Sequence, residues 1–160
     1  MVECLSRPAH HDGQGCKERG AIVDVDIAGG LLCRQGRLLL GKRSARRGAY
    51  PGVWDMPGGH VEVGETAEQT LVRELREELG VTATEWRELA VLRAPAMGAE
   101  DAHVLRLHVF LVIDWCGEPR NIAPDEHEAL AWFTLEATTR LTLAHAEYPR
   151  LFAQALELVQ

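Results

Sequence analysis

The chain has 160 residues, of which 46% are hydrophobic and 26% are charged. This composition is typical of one globular domain, and at this length folding buries roughly two-thirds of the surface of the unfolded chain, which excludes a small disulfide-stapled scaffold. The formal net charge of -7 disfavours binding to a nucleic acid duplex, because the duplex is also strongly negative.

The four cysteines include no C-x-x-C pair, and the first residues lack the apolar stretch of a secretion signal. We therefore expect a reducing, cytoplasmic location. The longest fully apolar runs, residues 109–113 and 129–133, are far shorter than the roughly 20 residues that cross a bilayer, so we expect no membrane segment.

The elements can be predicted in chain order from hydrophobic periodicity. Residues 1–20 have little apolar content and predict a disordered leader, followed by a single domain over residues 21–160. Alternating apolar residues predict strands at 21–28, 31–33 and 37–40, with a hairpin turn at Gln35 and Gly36. Residues 48–64, rich in glycine and proline, predict a loop.

A helix should follow that loop, because Thr66 and Gln69 have the spacing of a capping box and Gly80 can end the helix. Further strands are predicted at 86–94, 103–115 and 130–133, and an amphipathic helix at 149–159. In the strand at 103–115 one face should carry five apolar side chains, those of Leu105, Leu107, Val109, Leu111 and Ile113. This order of elements predicts an α/β fold with helices packed on a mixed sheet.

The predicted helix carries an acidic face beside an apolar one. At 3.6 residues per turn, Glu74, Glu77 and Glu78 share an arc of roughly 100°. Each pair of like charges at i,i+3 or i,i+4 costs roughly 0.2–0.5 kcal/mol, which a stable domain tolerates, so a solvated face is one interpretation. The other is a metal site, because Arg73 can pair with Glu65, and the glycine loop can turn a backbone carbonyl toward the carboxylates.

These residues form a known motif. Residues 59–81 resemble the Nudix box of the Nudix hydrolases (MutT-like proteins), and residues 54–58 resemble the usual approach to it. The box is complete here, with nine fixed positions over 23 residues: Gly59, Glu65, Arg73, Glu74, Leu75, Glu77, Glu78, Gly80 and Val81.

The resemblance implies a Nudix fold, an α/β/α sandwich around a central mixed β-sheet, and hydrolysis of a nucleoside diphosphate derivative. It implies that Mg²⁺ or Mn²⁺ is held by Glu74, Glu77 and Glu78, with the Gly58 carbonyl completing the shell. It also implies that Glu65 and Arg73 orient the helix and belong to the catalytic set with the three metal-binding glutamates. Divalent cations suit this reaction because they neutralise the pyrophosphate and lower the pKa of the attacking water.

Other candidates lie outside the box. The basic cluster of Lys42, Arg43, Arg46 and Arg47 could bind distal phosphates, and Arg43 is the strongest candidate because it ends a strand; a solvated basic turn is the alternative. Either Glu126 or Glu128 resembles the extra carboxylate of many Nudix hydrolases, whereas we expect His127 at the surface. Trp54 and Tyr50 could stack on a base, although packing is the commoner role of such aromatics.

The sequence therefore predicts a metal-dependent hydrolase that converts a (d)NTP to a (d)NMP and pyrophosphate, with a small-molecule nucleotide as its partner. ADP-ribose or a nucleotide sugar is the alternative substrate. A non-catalytic nucleotide-binding regulator is the alternative of another class, disfavoured because all four box glutamates are present. The sequence also allows a homodimer.

Overall fold

The computed structural model describes residues 24–48, 50–95 and 104–159, so the predicted leader at 1–20 lies outside the described residues. The described chain folds into seven strands and three helices. In chain order these are β1 (Val25–Arg34), β2 (Arg37–Arg43), β3 (Trp54–Asp55), β4 (Gly58–His60), α1 (Ala67–Leu79), β5 (Thr82–Pro95), β6 (Val104–Cys116), β7 (His127–Phe133), α2 (Leu135–Thr138) and α3 (Tyr148–Leu158).

The strands form a mixed sheet in which β1 is central. β1 runs parallel to β6 and antiparallel to β4, and its last residues form the predicted hairpin with β2. β5 continues the sheet beyond β6, while β7 and β3 pair with β2. The parallel pairing of β1 with β6 requires a long crossover connection, and α1 lies within that connection.

Both faces of the sheet are covered, which explains why its central strands read as nearly continuous apolar runs. On one face, Leu107, Val109 and Leu111 pack with α3; on the other, Phe110 and Val112 pack with α1. This arrangement of helix, sheet and helix confirms the predicted α/β/α sandwich.

Three details differ from the sequence-based expectations. β1 continues through Gly29 and Gly30, which were expected to separate two strands. These glycines instead leave space for the side chains of Met56 and Leu71 to contact the strand. The predicted loop at 48–64 contains two short strands, β3 and β4, whose few residues are too short for a periodic pattern. Ile113, at the end of the predicted apolar row, is 43% exposed because it lies beyond the helix that covers that face.

Helix α1 has the predicted boundaries. The hydroxyl of Thr66 accepts the backbone N–H of Gln69, and the side chain of Gln69 accepts the backbone N–H of Thr66. Gly80 ends the helix in the left-handed conformation, at φ 70°. The fully buried side chains of Leu71, Leu75 and Leu79 attach one face of the helix to the sheet, which fixes the rotation of its acidic residues.

No helix within residues 24–48, 50–95 and 104–159 has the length and apolar character needed to cross a membrane.

Replacing Thr66 with Ala should destabilise the protein by about 0.5–2 kcal/mol, because the backbone N–H of Gln69 loses its acceptor. Urea unfolding would measure the change. Thr66→Ser is the matched control, since it keeps the hydroxyl and should retain most of the stability; equal losses in the two variants would contradict the capping role.

Candidate active site

Arg73 joins the loop that precedes α1 to the helix itself. Its Nε and Nη2 groups donate hydrogen bonds to the two carboxylate oxygens of Glu65, at 2.8 and 2.9 Å. Nη2 also donates to the carbonyl of His60 at 3.1 Å, and Nη1 donates to Glu74 at 2.6 Å and to Glu77 at 3.3 Å. The predicted ion pair between Arg73 and Glu65 is confirmed, and the same guanidinium is a counter-ion for two further box glutamates.

Glu78 is the most deeply buried glutamate of the box, with a side chain only 6% exposed. Its Oε2 accepts the backbone N–H of Gly58 at 3.0 Å and lies 3.1 Å from Nε2 of His127. The expectation of His127 at the surface is wrong, because this residue begins β7 and its ring packs against Gly41 of β2, which leaves the side chain 5% exposed. The acidic residues on both sides of His127 in the sequence give no signal of this burial.

Glu74 lies against the backbone of β4 at Gly59. A side-chain carbon at position 59 would overlap the Glu74 carboxylate, so only glycine allows this approach. Burial raises the pKa of Glu74, and the neighbouring carboxylates of Glu78 and Glu77 raise it further, whereas the hydrogen bond from Arg73 opposes the rise. Burial and the acidic neighbours therefore disfavour the ionised form of Glu74. A cation placed beside Glu74 would favour its ionised form.

The exposed edge of β4 presents backbone groups to these carboxylates. In the antiparallel ladder with β1, residues 57, 59 and 61 bond toward β1, so Gly58 and His60 direct their N–H and C=O groups away from it. The bonds from the Gly58 N–H to Glu78 and from Arg73 to the His60 carbonyl follow this alternation. The Gly58 carbonyl thus points to the side on which α1 lies.

A cleft of about 390 Å³ opens at this place. Glu74, Glu77 and Glu78 all line it, and Glu77 extends furthest into solvent, with a side chain 59% exposed. The remaining lining residues come from β4 and from three loops: Gly58, Gly59, His60, Glu62, Arg47, Ala123 and Glu126. The tertiary structure therefore brings together the predicted metal-binding residues Gly58, Glu74, Glu77 and Glu78.

The oxygen donors of the cleft suit a hard divalent cation. Within the described residues, no three His, Cys, Asp or Glu side chains already converge as a rigid metal cage. Mg²⁺ does not need such a cage, because it keeps several water ligands and often binds through one or two carboxylates and the phosphates of a substrate. Carboxylates and a backbone carbonyl are the ligands that suit Mg²⁺ or Mn²⁺, so the residues present fit the predicted ion.

A second cavity, of about 150 Å³ and largely apolar, shares Gly58, Gly59, His60 and Arg47 with the cleft. Its polar groups include the predicted substrate-binding residue Arg43, which lies 3.5 Å from Oδ2 of Asp55. The hydroxyl of Tyr148 donates to Oδ1 of the same carboxylate at 2.6 Å. Burial raises the pKa of both Asp55 and Tyr148.

The sequence analysis did not single out Asp55 or Tyr148 as a polar pair. They are 93 positions apart in the chain, and only the packing of α3 beside β3 brings them into contact. Asp55 is one of the residues 54–58 that resemble the usual approach to the Nudix box, and this resemblance is the local signal for its position.

The two candidate carboxylates that flank His127 have different surroundings. Glu126 lines the cleft and forms an ion pair with Arg47. Glu128 instead accepts the backbone N–H of Ala45 at 2.8 Å and lies 3.4 Å from Nζ of Lys42, outside the lining of both cavities. Its contacts attach β7 to the turn after β2.

The two aromatic candidates, Tyr50 and Trp54, also have different surroundings. Tyr50 lines the second cavity. Trp54 is absent from the residues that line the two cavities and packs edge-to-face on Phe133, with ring centroids 4.8 Å apart. The contact with Phe133 agrees with the second of the two roles expected for Trp54, packing rather than stacking on a base.

The NUDIX domain family profile matches residues 25–155. The chain belongs to this family. It is 35% identical over 129 residues to the CTP pyrophosphohydrolase of Escherichia coli (strain K12), covering 81% of this chain and 90% of that protein. It is 32% identical over 124 residues to the nucleoside triphosphatase NudI of Enterobacter sp. (strain 638), covering 72% of this chain and 86% of that protein.

The crystal structure of the MutT NUDIX hydrolase from Burkholderia pseudomallei superimposes with a TM-score of 0.70 at 34% identity, covering 86% of this chain and 98% of that chain. Fold and family agree with the expectation from residues 59–81. The prediction of a Nudix hydrolase that acts on nucleotide pyrophosphate linkages is confirmed at this level.

The pairing of Glu65 with Arg73 should appear in the pH dependence of stability. Hydrogen bonds from Arg73 and then from Thr70 lower the pKa of Glu65 from 4.5 to about 2. Because the pKa is lower in the folded state, ionised Glu65 stabilises the fold above about pH 4.5, and this stabilisation is lost as the pH falls toward 2.

We expect Glu65→Gln to reduce the free energy of unfolding near neutral pH, and the difference from the unmodified protein to shrink between about pH 4.5 and 2. Urea unfolding at a series of pH values would measure it. Glu157→Gln, an exposed substitution on α3, is the control. A difference for Glu65→Gln that does not change with pH would contradict the role of the ion pair.

Proposed function

We propose that this Nudix hydrolase cleaves a (d)NTP to a (d)NMP and pyrophosphate. The observation that carries the proposal is the convergence of Glu74, Glu77 and Glu78 beside the backbone of Gly58 and Gly59 in one open cleft. Water attacks a phosphorus, one P–O bond of the anhydride bridge breaks, and the pyrophosphate leaves with the bridging oxygen.

In this proposal Glu74, Glu77 and Glu78, together with the Gly58 carbonyl, hold Mg²⁺ or Mn²⁺. When bound, the cation would neutralise the phosphate oxygens and make water a stronger nucleophile. Arg73 and Glu65 keep α1 in register with β4, so that the carboxylates face the backbone edge. Excess negative charge around Glu74 supports cation binding, since the charge on Arg73 is divided among three glutamates.

The nucleotide would span the two cavities. The charged cleft suits the phosphates, whereas the apolar cavity that shares Gly58, Gly59 and His60 with it suits a nucleobase. Arg43 in the second cavity and Arg47 at the shared wall provide positive charge between the two ends. Tyr50 offers an aromatic ring on the base side.

The names of two relatives support a nucleoside triphosphate as the substrate. They are a CTP pyrophosphohydrolase and a nucleoside triphosphatase, and this chain covers 90% and 86% of their lengths. Glu126, which lines the cleft opposite the box, remains a proposed contributor to the site. Glu128 and Trp54, although predicted to bind substrate, have contacts that instead support the surrounding structure. The cytoplasmic location and a homodimer remain predictions.

A substrate panel with Mg²⁺ would test the reaction. We expect pyrophosphate and a monophosphate from one or more (d)NTPs, and a fall of about 100-fold or more in kcat for Glu78→Gln, equivalent to about 2.7 kcal/mol of transition-state stabilisation. Glu157→Gln on α3 should keep the rate of the unmodified protein, because Glu157 lies on the exposed side of that helix.

The same panel should include ADP-ribose and nucleotide sugars. Faster cleavage of either than of every (d)NTP would contradict the proposed substrate class but keep the hydrolase. If no compound yields a phosphate product, the protein is a nucleotide-binding module and the proposed reaction is wrong.

Arg43→Ala should weaken binding of the phosphate nearest to the nucleoside, because Arg43 lines the second cavity. A hydrogen bond to a charged group contributes about 1.5–3 kcal/mol, so KM for the (d)NTP should rise about 10-fold or more and inhibition by the (d)NMP product should weaken by a similar factor. Arg37→Ala, at the exposed far end of the same strand β2, is the matched control. Weaker triphosphate binding with unchanged inhibition by the (d)NMP would place Arg43 at the distal phosphates instead.

A further inference from the structure

We propose that His127 is a positioning residue for the metal-binding carboxylate of Glu78, to which its Nε2–H group donates a hydrogen bond. The inference rests on the proposed function of Glu78 in holding a divalent cation. The proposed reaction leaves His127 unused, although it is buried and touches the most buried glutamate of the Nudix box.

The two ring nitrogens of His127 have different surroundings. Nε2 lies 3.1 Å from Oε2 of Glu78, whereas Nδ1 is buried and has no hydrogen-bond partner among the described residues. A proton on Nδ1 would therefore be a buried donor without an acceptor, which folded proteins strongly avoid. The proton belongs on Nε2, where a carboxylate oxygen accepts it.

Contacts of both the backbone and the ring fix the position of His127. The backbone N–H of His127 donates to the carbonyl of Ala123 at 3.1 Å, and its carbonyl accepts Nδ2 of Asn121 at 2.8 Å. The ring itself lies directly over Gly41 of β2, where any side-chain carbon would overlap it. Strand β7 is also irregular here, since the register of its pairing with β2 shifts between Lys42 and Arg43.

Both donors to Glu78 use the same oxygen. The Gly58 N–H and the His127 ring meet at Oε2, one from the edge of β4 and the other from β7. With Oε2 fixed in this way, Oε1 is the oxygen that Glu78 can offer to the cleft that it lines. His127 therefore selects which oxygen faces the cation and holds the carboxylate at one angle, as outer ligand partners do in other metal sites.

The tautomer can be tested on the unmodified, metal-free protein. Two-bond ¹H–¹⁵N spectra of ¹⁵N-histidine-labelled protein separate the two neutral tautomers, and the spectrum of His127→Gln identifies the His127 signals among the seven histidines. We expect a proton on Nε2. An Nε2 atom without a proton would overturn the proposal, whatever the activity of the enzyme.

Metal affinity tests the positioning role separately from catalysis. Calorimetric titration with Mn²⁺ alone should show a loss of about 10–100-fold in affinity for His127→Leu, which has no donor. His127→Gln should retain most of the affinity, because its amide can place an N–H near the position of Nε2. The Mg²⁺ concentration for half-maximal activity should rise in His127→Leu more than KM for the nucleotide.

Gly41→Ala gives a second route that leaves His127 itself unchanged. The added methyl group would displace the ring, so the Mn²⁺ affinity should fall as in His127→Leu. Gly48→Ala is the matched control, because a side-chain carbon at position 48 would meet open space. If His127→Leu fails to fold by circular dichroism, Gly41→Ala and the tautomer decide the question.

Mn²⁺ affinity that is unchanged in both His127→Leu and Gly41→Ala would overturn the positioning role alone. Equal losses in His127→Gln and His127→Leu would also overturn it, since the donor would then be irrelevant. Absence of Mn²⁺ binding by the unmodified protein would overturn the proposed metal site and, with it, the role of His127.

Discussion

The contact between helix α1 and the edge of strand β4 forces carboxylates out of water, and the arrangement of the site depends on it. Gly59 has no side chain, so the carboxylate of Glu74 can lie directly on the strand, and Glu78 can reach the backbone N–H of Gly58. Buried carboxylates are stable only when hydrogen bonds or opposite charges compensate them. Much of the surrounding structure provides that compensation.

Two kinds of hydrogen-bond donor compensate the buried carboxylates. Arg73 supplies charge to the outer part of the box through Glu65, Glu74 and Glu77. Glu78, further inside, is held by the neutral donors of Gly58 and His127 instead. One cation shared among three carboxylates leaves a net negative cleft, which is a physical reason for a divalent ion to bind there. The ion pair between Arg73 and Glu65 fixes the position of α1, whereas the remaining negative charge of the cleft favours the binding of a cation.

The sheet gives the cleft and the apolar cavity a common wall. β4 lies on the edge of the sheet, so its glycines border both spaces and bring a polar phosphate site next to an apolar one. The half-buried Asp55 and the buried Tyr148 form a hydrogen-bonded pair that lines the apolar side, where α3 closes the domain. A nucleotide has this same division between charged phosphates and a flat base. The fit of the site to its substrate class therefore follows from the position of one short strand.

The amino-acid sequence by itself determined helix α1 and its chemistry. The cap at Thr66, the end at Gly80 and the apolar stripe of Leu71, Leu75 and Leu79 are local signals, and local hydrogen bonds and hydrophobic periodicity fix them. The pairing of Glu65 with Arg73 also follows from short spacing. Together with the Nudix box these features were sufficient for the family, the α/β/α layers and the candidate metal ligands.

Only the tertiary structure decided which charged residues reach the cleft. Glu126 and Glu128 are only two positions apart in the chain, yet Glu126 lies in a turn and lines the cleft, whereas Glu128 lies in β7 and pairs with Lys42. His127 between them contacts Glu78 across 49 positions, and Asp55 meets Tyr148 across 93. Such contacts depend on strand order and on a register shift in β7, which arise from the packing of distant segments. Local periodicity carries no information about those distances, because it describes which face a residue occupies and not what lies opposite.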